Sequence, residues 1–427
     1  MAGMRWRWAA WLMLAAGAPA AVAQDTAPEA AAPKTDADIV FDLVLRDRLM
    51  PALARLERVM EADPGAAGRG AQWWGFSGDV ATADTLFARS VGAPEAPVES
   101  ADGLPDLSAA RPEPAIAAIV RAAAGRRVVM INEAHHSPRH RAFSHKLMLA
   151  LREAGFTHLA AETFDRGGRA LTENGAPTID TGYYTRDPAF ADLVRQAVAA
   201  GYELVPYEIG PGQYPPAGTE REAYIAMREQ AQADNLRAAL EAHPAMRVVV
   251  HVGFGHLNET EEGAGWHAFA GRFKADTGED PLTIDQTEGT PQAVAGANSR
   301  LYRAFVARFG EASEPVAIAN DGPRPFGTYL TDMVVVHPPE RWIDGRPDWL
   351  AMDGYRKPHR VTLAPMIARS LVRAFVVGEP DKAIAMDQML APAGADSVTL
   401  MLPAGTYRLV RQTEADEDLS LGEVTVR

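Results

Sequence analysis

The sequence predicts an α/β fold: a largely parallel sheet flanked by helices with a helical insertion, preceded by N-terminal helices and followed by a small C-terminal β-rich appendage. Three observations predict it. From Arg111 onward short apolar runs alternate with amphipathic stretches, the apolar runs are nearly continuous, and the amphipathic stretches end at or near glycine.

Taken in order, residues 1–23 carry Arg5 and Arg7 ahead of a short apolar stretch, with Ala21 and Ala23 before Gln24, the pattern of a signal peptide cleaved after Ala23. A retained N-terminal membrane anchor is the other reading of this leader. Cleavage would place the mature protein in the periplasm or outside the cell. Residues 24–38, QDTAPEAAAPKTDAD, are Ala, Pro and acid rich without periodicity and read as a disordered linker. Residues 39–110 form an N-terminal helical segment: one or two helices open it, with Pro51 as a break and Pro64-Gly65 as a stop. AQWWGFSGDVATADTLFA follows without a legible period, and Trp73 and Trp74 are read as a buried anchor rather than a stacking platform.

The α/β domain spans residues 111–358. Its strands are RVVMINEA, THLAAETF, YELVPYE, RVVVHVGFGH and DPLTIDQT, with TYLTDMVVVHPP later. TEREAYIAMREQAQADNLRAALEAHP is a helical insertion between the third and fourth strands, longer than a simple crossover needs. Residues 359–427 alternate around a Pro-Ala-Gly turn and form a β-rich, sandwich-like domain.

Composition removes several functions. The chain has 427 residues and a net charge of -14, and loss of the leader's two arginines takes this to -16. So acidic a chain, with no basic run, is a poor partner for nucleic acid. No segment after the leader approaches the ~20 apolar residues of a membrane span. With no cysteine, a metal could be held only by histidine and carboxylate. Neither a GxSxG elbow nor a phosphate-binding GxxxxGK occurs.

Ligands of an open α/β sheet bind beyond the carboxyl ends of its strands. Polar residues collect there: Glu133 and His135 after the first strand, Glu162 after the second, Glu208 after the third, His256 after the fourth, with Asp285 and His337 at later ends. Such a set can hold a divalent metal that acidifies water, or activate water directly as a general base, and both routes lead to hydrolysis. Glu133 and Glu162 have a second reading, a structural ion pair with arginine. His136 and His140 have the spacing of a helical metal pair but read as solvated or capping, His145 as a helix-surface residue, and His251 as either a core or a site histidine. Gly253 and Gly255 allow close backbone approach beside His256.

Four motifs carry a resemblance: NEAH at 132–135, AAET at 160–163, REQAQADN at 228–235 and GFGH at 253–256. Together they resemble the superfamily of erythromycin esterases, Tiki-type metalloproteases and ChaN-type haem-uptake proteins, over about residues 120–345. Asn132 stands where that family has glycine, and the esterase form has one more residue between its Glu and His, so His136 competes with His135. The resemblance implies a hydrolase acting on an ester or amide of a small molecule or peptide. It implies Glu133, His135, Glu162, Arg228 and His256 as catalytic residues around an activated water, as in the esterases, or around a divalent metal on Glu133, His135, Glu162 and His256, as in the Tiki-type members. It also offers a non-catalytic alternative, haem binding with Tyr183, Tyr184 and histidines as iron ligands. A structural envelope protein is the third expectation.

Overall fold

The computed structural model describes residues 34–96, 103–164, 166–167, 169–259, 268–320 and 326–427. The signal peptide and residues 24–33 of the linker lie outside these described residues.

Helix α1 (Asp36–Leu45) begins inside the predicted linker, because Thr35 and Asp38 form a reciprocal capping box. Helix α2 (Leu49–Ala62) holds Pro51 in its first turn, where proline fits the helix start instead of breaking it. The stretch without a legible period forms the end of α3 (Ala67–Phe76) and α4 (Val80–Ser90). Trp73 and Trp74 are both buried in the main core, and the Trp73 indole donates to the Tyr183 hydroxyl at 2.6 Å.

The central sheet has eight strands: β1 (Glu113–Pro114), β2 (Val128–Glu133), β3 (His158–Ala161), β4 (Glu203–Pro206), β5 (Val248–Gly253), β6 (Leu282–Asp285), β7 (Val316–Ala319) and β8 (Met333–Val336). Their order is β1-β7-β8-β6-β2-β5-β3-β4, parallel from β8 to β4, with β7 and β1 added antiparallel at one edge. Successive residues of β2 feed opposite layers. Val129 and Ile131 join the core of α5 (Ala115–Ala122), α6 (Pro138–Glu153) and α7 (Pro188–Ala199), while Val128 and Met130 join that of α8 (Arg221–Ala242) and α9 (Phe269–Thr277). Both faces are covered, which is why these strands read as continuous apolar runs. Helix α10 (Arg300–Phe309) packs on β7 and β8.

The predicted insertion is α8 itself. It packs Ala233, Leu236 and Leu240 on the sheet and is the crossover from β4 to β5. The chain makes β3 and β4 first and then returns, so β5 lies between β2 and β3. This topology sets the GFGH segment between Glu133 and Glu162.

After a short hairpin, β9 (Trp342–Ile343) and β10 (Arg346–Pro347), the C-terminal strands form two sheets. In one, β11 (Lys357–Thr362) pairs with β14 (Ser397–Leu402). In the other, β12 (Ser370–Val376), β13 (Asp387–Ala391), β15 (Gly405–Thr413) and β16 (Asp418–Val426) run β13-β12-β15-β16. A separate apolar core lies between them. The unit is more than an appendage. Leu371 and Leu390 belong to the main core, and ion pairs join Arg369 to Glu57, Arg373 to Asp47, and Arg356 to the buried Asp192 of α7. Among the described residues no helix is long and apolar enough to cross a membrane.

Candidate functional site

The turn after β2 decides which histidine faces the site. The backbone N–H of Ala134 donates to His140 Nδ1 at 2.9 Å, so the opposite ring nitrogen carries the proton and donates to Thr290 Oγ1 at 2.9 Å. His140 is therefore a buried latch rather than a solvated residue, and burial holds its pKa well below the ordinary value. With the turn latched, His135 projects toward β5 and His136 toward α4. The His136 ring stacks on Phe87 at 3.9 Å, with Nε2 3.6 Å from Asp84, and burial pushes its pKa down to about 3. His145 is also buried rather than on the helix surface, 4.0 Å from Asp192, and burial lowers it to about 4.

His135 pairs with Glu133 through Nδ1 at 2.8 Å. Burial alone would neutralise Glu133. Arg141 overcomes it, donating Nε to Oε2 at 2.7 Å and Nη2 to Oε1 at 2.6 Å, and the carboxyl is held far below the usual carboxylate range. The same guanidinium reaches Asp187 Oδ2 at 2.5 Å and the His135 carbonyl at 3.0 Å. An ionised Glu133 can only accept, so Nδ1 of His135 carries a proton, and in the neutral ring Nε2 is the lone pair. The Tyr184 hydroxyl donates to that lone pair at 3.0 Å.

A second arginine organises the ends of β3, β4 and β5. Arg228, carried in by α8, donates Nη2 to Glu162 Oε1 at 2.6 Å and Nε to Glu208 Oε1 at 3.0 Å. The other Glu162 oxygen accepts the Gly253 N–H at 2.7 Å. Burial opposes the Glu162 charge, but His256 and Arg228 outweigh it and bring its pKa down to about 2. His256 lies between Glu229, 2.7 Å from Nδ1, and Arg228 Nη1, 3.2 Å from Nε2. Burial works against its imidazolium, yet Glu229 and Glu162 lift its pKa above the ordinary value.

The two clusters meet over Gly253. A Cβ there would lie 2.6 Å from His135 Nε2 and 2.9 Å from Glu162 Oε2, so only glycine lets both side chains approach the strand. Five predicted residues thus converge: Glu133, His135, Glu162, Arg228 and His256, with Glu208 beside them on Arg228. His251 lies under this group, its Nε2 3.7 Å from Glu133 Oε2, and burial lowers its pKa to about 4. His337 and Asp285 belong elsewhere. His337 Nε2 meets Gln286 Oε1 at 3.1 Å and Asp285 accepts from Asn132 at 2.7 Å, in a polar network at the carboxyl ends of β6 and β8.

Sequence reasoning missed Arg141, Asp187 and Glu229. The signal for Arg141 was present: the first half of α6 carries Arg139, His140, Arg141, Ser144 and His145 where a helix on a sheet face should be apolar, and all five are buried.

The predicted metal ligands do not fit a metal. Both Glu133 oxygens go to Arg141, and the Arg228 guanidinium stands among Glu162, Glu208 and His256 where a cation would have to be. Among the described residues no group of three or more His, Asp or Glu could hold an ion. The tyrosines do not fit haem iron either. Tyr183 accepts the Trp73 indole N–H and burial raises its pKa to about 12, while Tyr184 is engaged by His135 and burial holds its pKa well above the ordinary value.

Fold and site together define an α/β protein with a buried Glu-His-Arg centre at the carboxyl edge of a parallel sheet. No protein-family model matches the chain, and no curated protein matches it. Among solved structures it is similar to the type III effector HopBA1, at 16% identity over 54% of this chain and 96% of that one, with a TM-score of 0.34. It is also similar to RRSP, a MARTX toxin effector domain from Vibrio vulnificus CMCP6, at 18% identity over 51% of this chain and 50% of that one, with a TM-score of 0.28. Overlaps this loose carry no functional argument.

Proposed function

We propose that the protein is a metal-independent hydrolase of the erythromycin esterase, Tiki and ChaN-like type, secreted or periplasmic, that attacks an ester or amide with activated water. The observation that carries this reading is the Glu133–His135 pair, whose Nε2 lies with Glu162 Oε2 beside Gly253. Glu133, locked by Arg141, fixes the imidazole tautomer and stabilises the imidazolium that forms when Nε2 takes a proton from water. The Tyr184 hydroxyl marks where that proton lies before transfer.

As water adds to the carbonyl, negative charge develops on its oxygen. Arg228 commits Nε and Nη2 to carboxylates and turns Nη1 toward His256. A protonated His256 beside Nη1 is a pair of positive donors that gains most when an oxyanion enters between them. His256, with its raised pKa, then gives its proton to the leaving group, while Glu162 and Glu208 hold Arg228 in place.

The test is a panel of aryl esters, acyl amides and peptides assayed with wild type, His135→Asn, Glu162→Gln and His256→Asn. Each variant should keep its circular dichroism spectrum and lose roughly 100-fold or more in kcat. Wild-type turnover in all three variants would refute the assignment.

A further inference from the structure

A cavity of about 290 Å³ opens at the same sheet edge, on the far side of His136 from the catalytic group. Asp84 of α4, Arg139 at the start of α6, Gln292 after β6, and Glu340, Trp342 and Trp349 after β8 line it. It lies at the small end of ligand-sized pockets, which begin near ~300 Å³.

Its polar groups are poorly satisfied from within the protein. Arg139 is only 6% exposed, yet among the described residues its one side-chain hydrogen bond goes to the Pro338 carbonyl at 2.7 Å, and no carboxylate there comes within ion-pair distance. The Gln292 amide oxygen is buried without a hydrogen-bond donor among the described residues. The Asp84 carboxylate has no closer partner there than His136 Nε2 at 3.6 Å. Burial and the facing Glu340 push Asp84 up to about 7, as expected of an acid without donors. The Trp349 indole donates to Glu340 at 2.6 Å, which fixes one aromatic wall, while Trp342 is 48% exposed on its two-residue strand.

The charges select the ligand by elimination. An ammonium would meet the buried guanidinium of Arg139, and a phosphate or carboxylate would meet Asp84 and Glu340. A hydroxyl donates to one and accepts from the other. An exposed indole adds a flat apolar surface of the kind that covers the C–H face of a pyranose ring. We propose that this cleft is a binding site for a neutral carbohydrate, with the sugar ring on Trp342 and its hydroxyls shared among Asp84, Gln292, Glu340 and Arg139.

The proposal does not depend on hydrolysis, so its test keeps the two apart. Chitotriose, maltotriose and cellotriose would be titrated into the full chain, followed by tryptophan fluorescence and saturation-transfer NMR, with spermidine and inorganic phosphate as charged competitors. At least one trisaccharide should bind saturably, unaffected by either charged probe. Trp342→Ala, an exposed and structurally mild change, should weaken binding by about tenfold, and Asp84→Ala should also weaken it. Glu162→Gln should leave binding unchanged. Failure of all three sugars to bind, equal binding by Trp342→Ala, or loss of binding in Glu162→Gln would overturn the assignment.

Discussion

Two arginines organise the clusters that meet over Gly253, and they solve different problems. The Arg141 side chain is fully buried, as are its partners Glu133 and Asp187 at 2% and 3% exposure. Arg228 is 10% exposed and its partner Glu208 18%, while its other partner Glu162, 5% exposed, is also faced by His256 at 3.7 Å and keeps a positive neighbour if Arg228 is lost. In the proposed reaction the sealed cluster holds the base in one orientation, and the less buried one presents positive charge to the substrate. A buried pair broken on one side leaves an uncompensated charge at a cost of about 3–5 kcal/mol, whereas a partly exposed carboxylate can turn to water. Arg141→Met should therefore lower the thermal midpoint steeply or prevent folding. Arg228→Met should unfold closer to wild type while losing turnover. Equal stability losses in the two variants, read by thermal unfolding, would erase the distinction.

Acid should separate the same two sides. His251, under the sealed cluster, has a pKa lowered to about 4, with burial the largest cause. Between an unfolded value near ~6.5 and that value the unfolded chain takes up a proton that the folded chain refuses. Stability is thus lost as pH falls through this window, by roughly 1.4 kcal/mol per pH unit for one ring at most. His136 and His145 act in the same direction. His256 has the opposite sign. Its raised pKa gives stability that is present at low pH and is lost as pH rises through the folded value. Denaturant unfolding at pH 7.5 and pH 5 should show a smaller acid loss in His251→Gln than in wild type, and a larger one in His256→Gln. Parallel behaviour of the two variants would contradict the assigned environments. Below these values Glu162, lowered to about 2, adds a further loss as pH falls from its unfolded value near ~4.3.

The open side was more legible in the sequence than the sealed one. Glu162, Arg228 and His256 lie at strand ends or in a motif-bearing helix, and the rule that α/β sites gather at carboxyl ends finds such residues without coordinates. Parallel order also followed from apolar runs alternating with helices, but β7, four residues long and antiparallel, carries no such signature. Arg141 and Asp187 are eight and 54 positions from Glu133, and nothing local announces their contact. Burial partners are chosen by packing, which a one-dimensional pattern registers only as polar residues where apolar ones belong. The same blindness made His140 and His145 look like surface residues, since their helix start lies beneath α3, α4 and the loops after β6 and β8. His135 and His136 could not be told apart until the Ala134–His140 hydrogen bond fixed the turn.

The smallest expected effect is the one that most sharpens the contrast. Arg141 and Arg228 occupy the positions from which a metal would have to bind Glu133 and Glu162, and a guanidinium is a permanent cation. Turnover by protein dialysed against EDTA should therefore match that of untreated protein, and added zinc should not raise it. A loss on chelation, restored by zinc, would mean that Arg228 leaves Glu162 and His256 when the site is active. The open cluster would then be a metal centre held shut by its own arginine, and only the sealed cluster would keep the role given to it here.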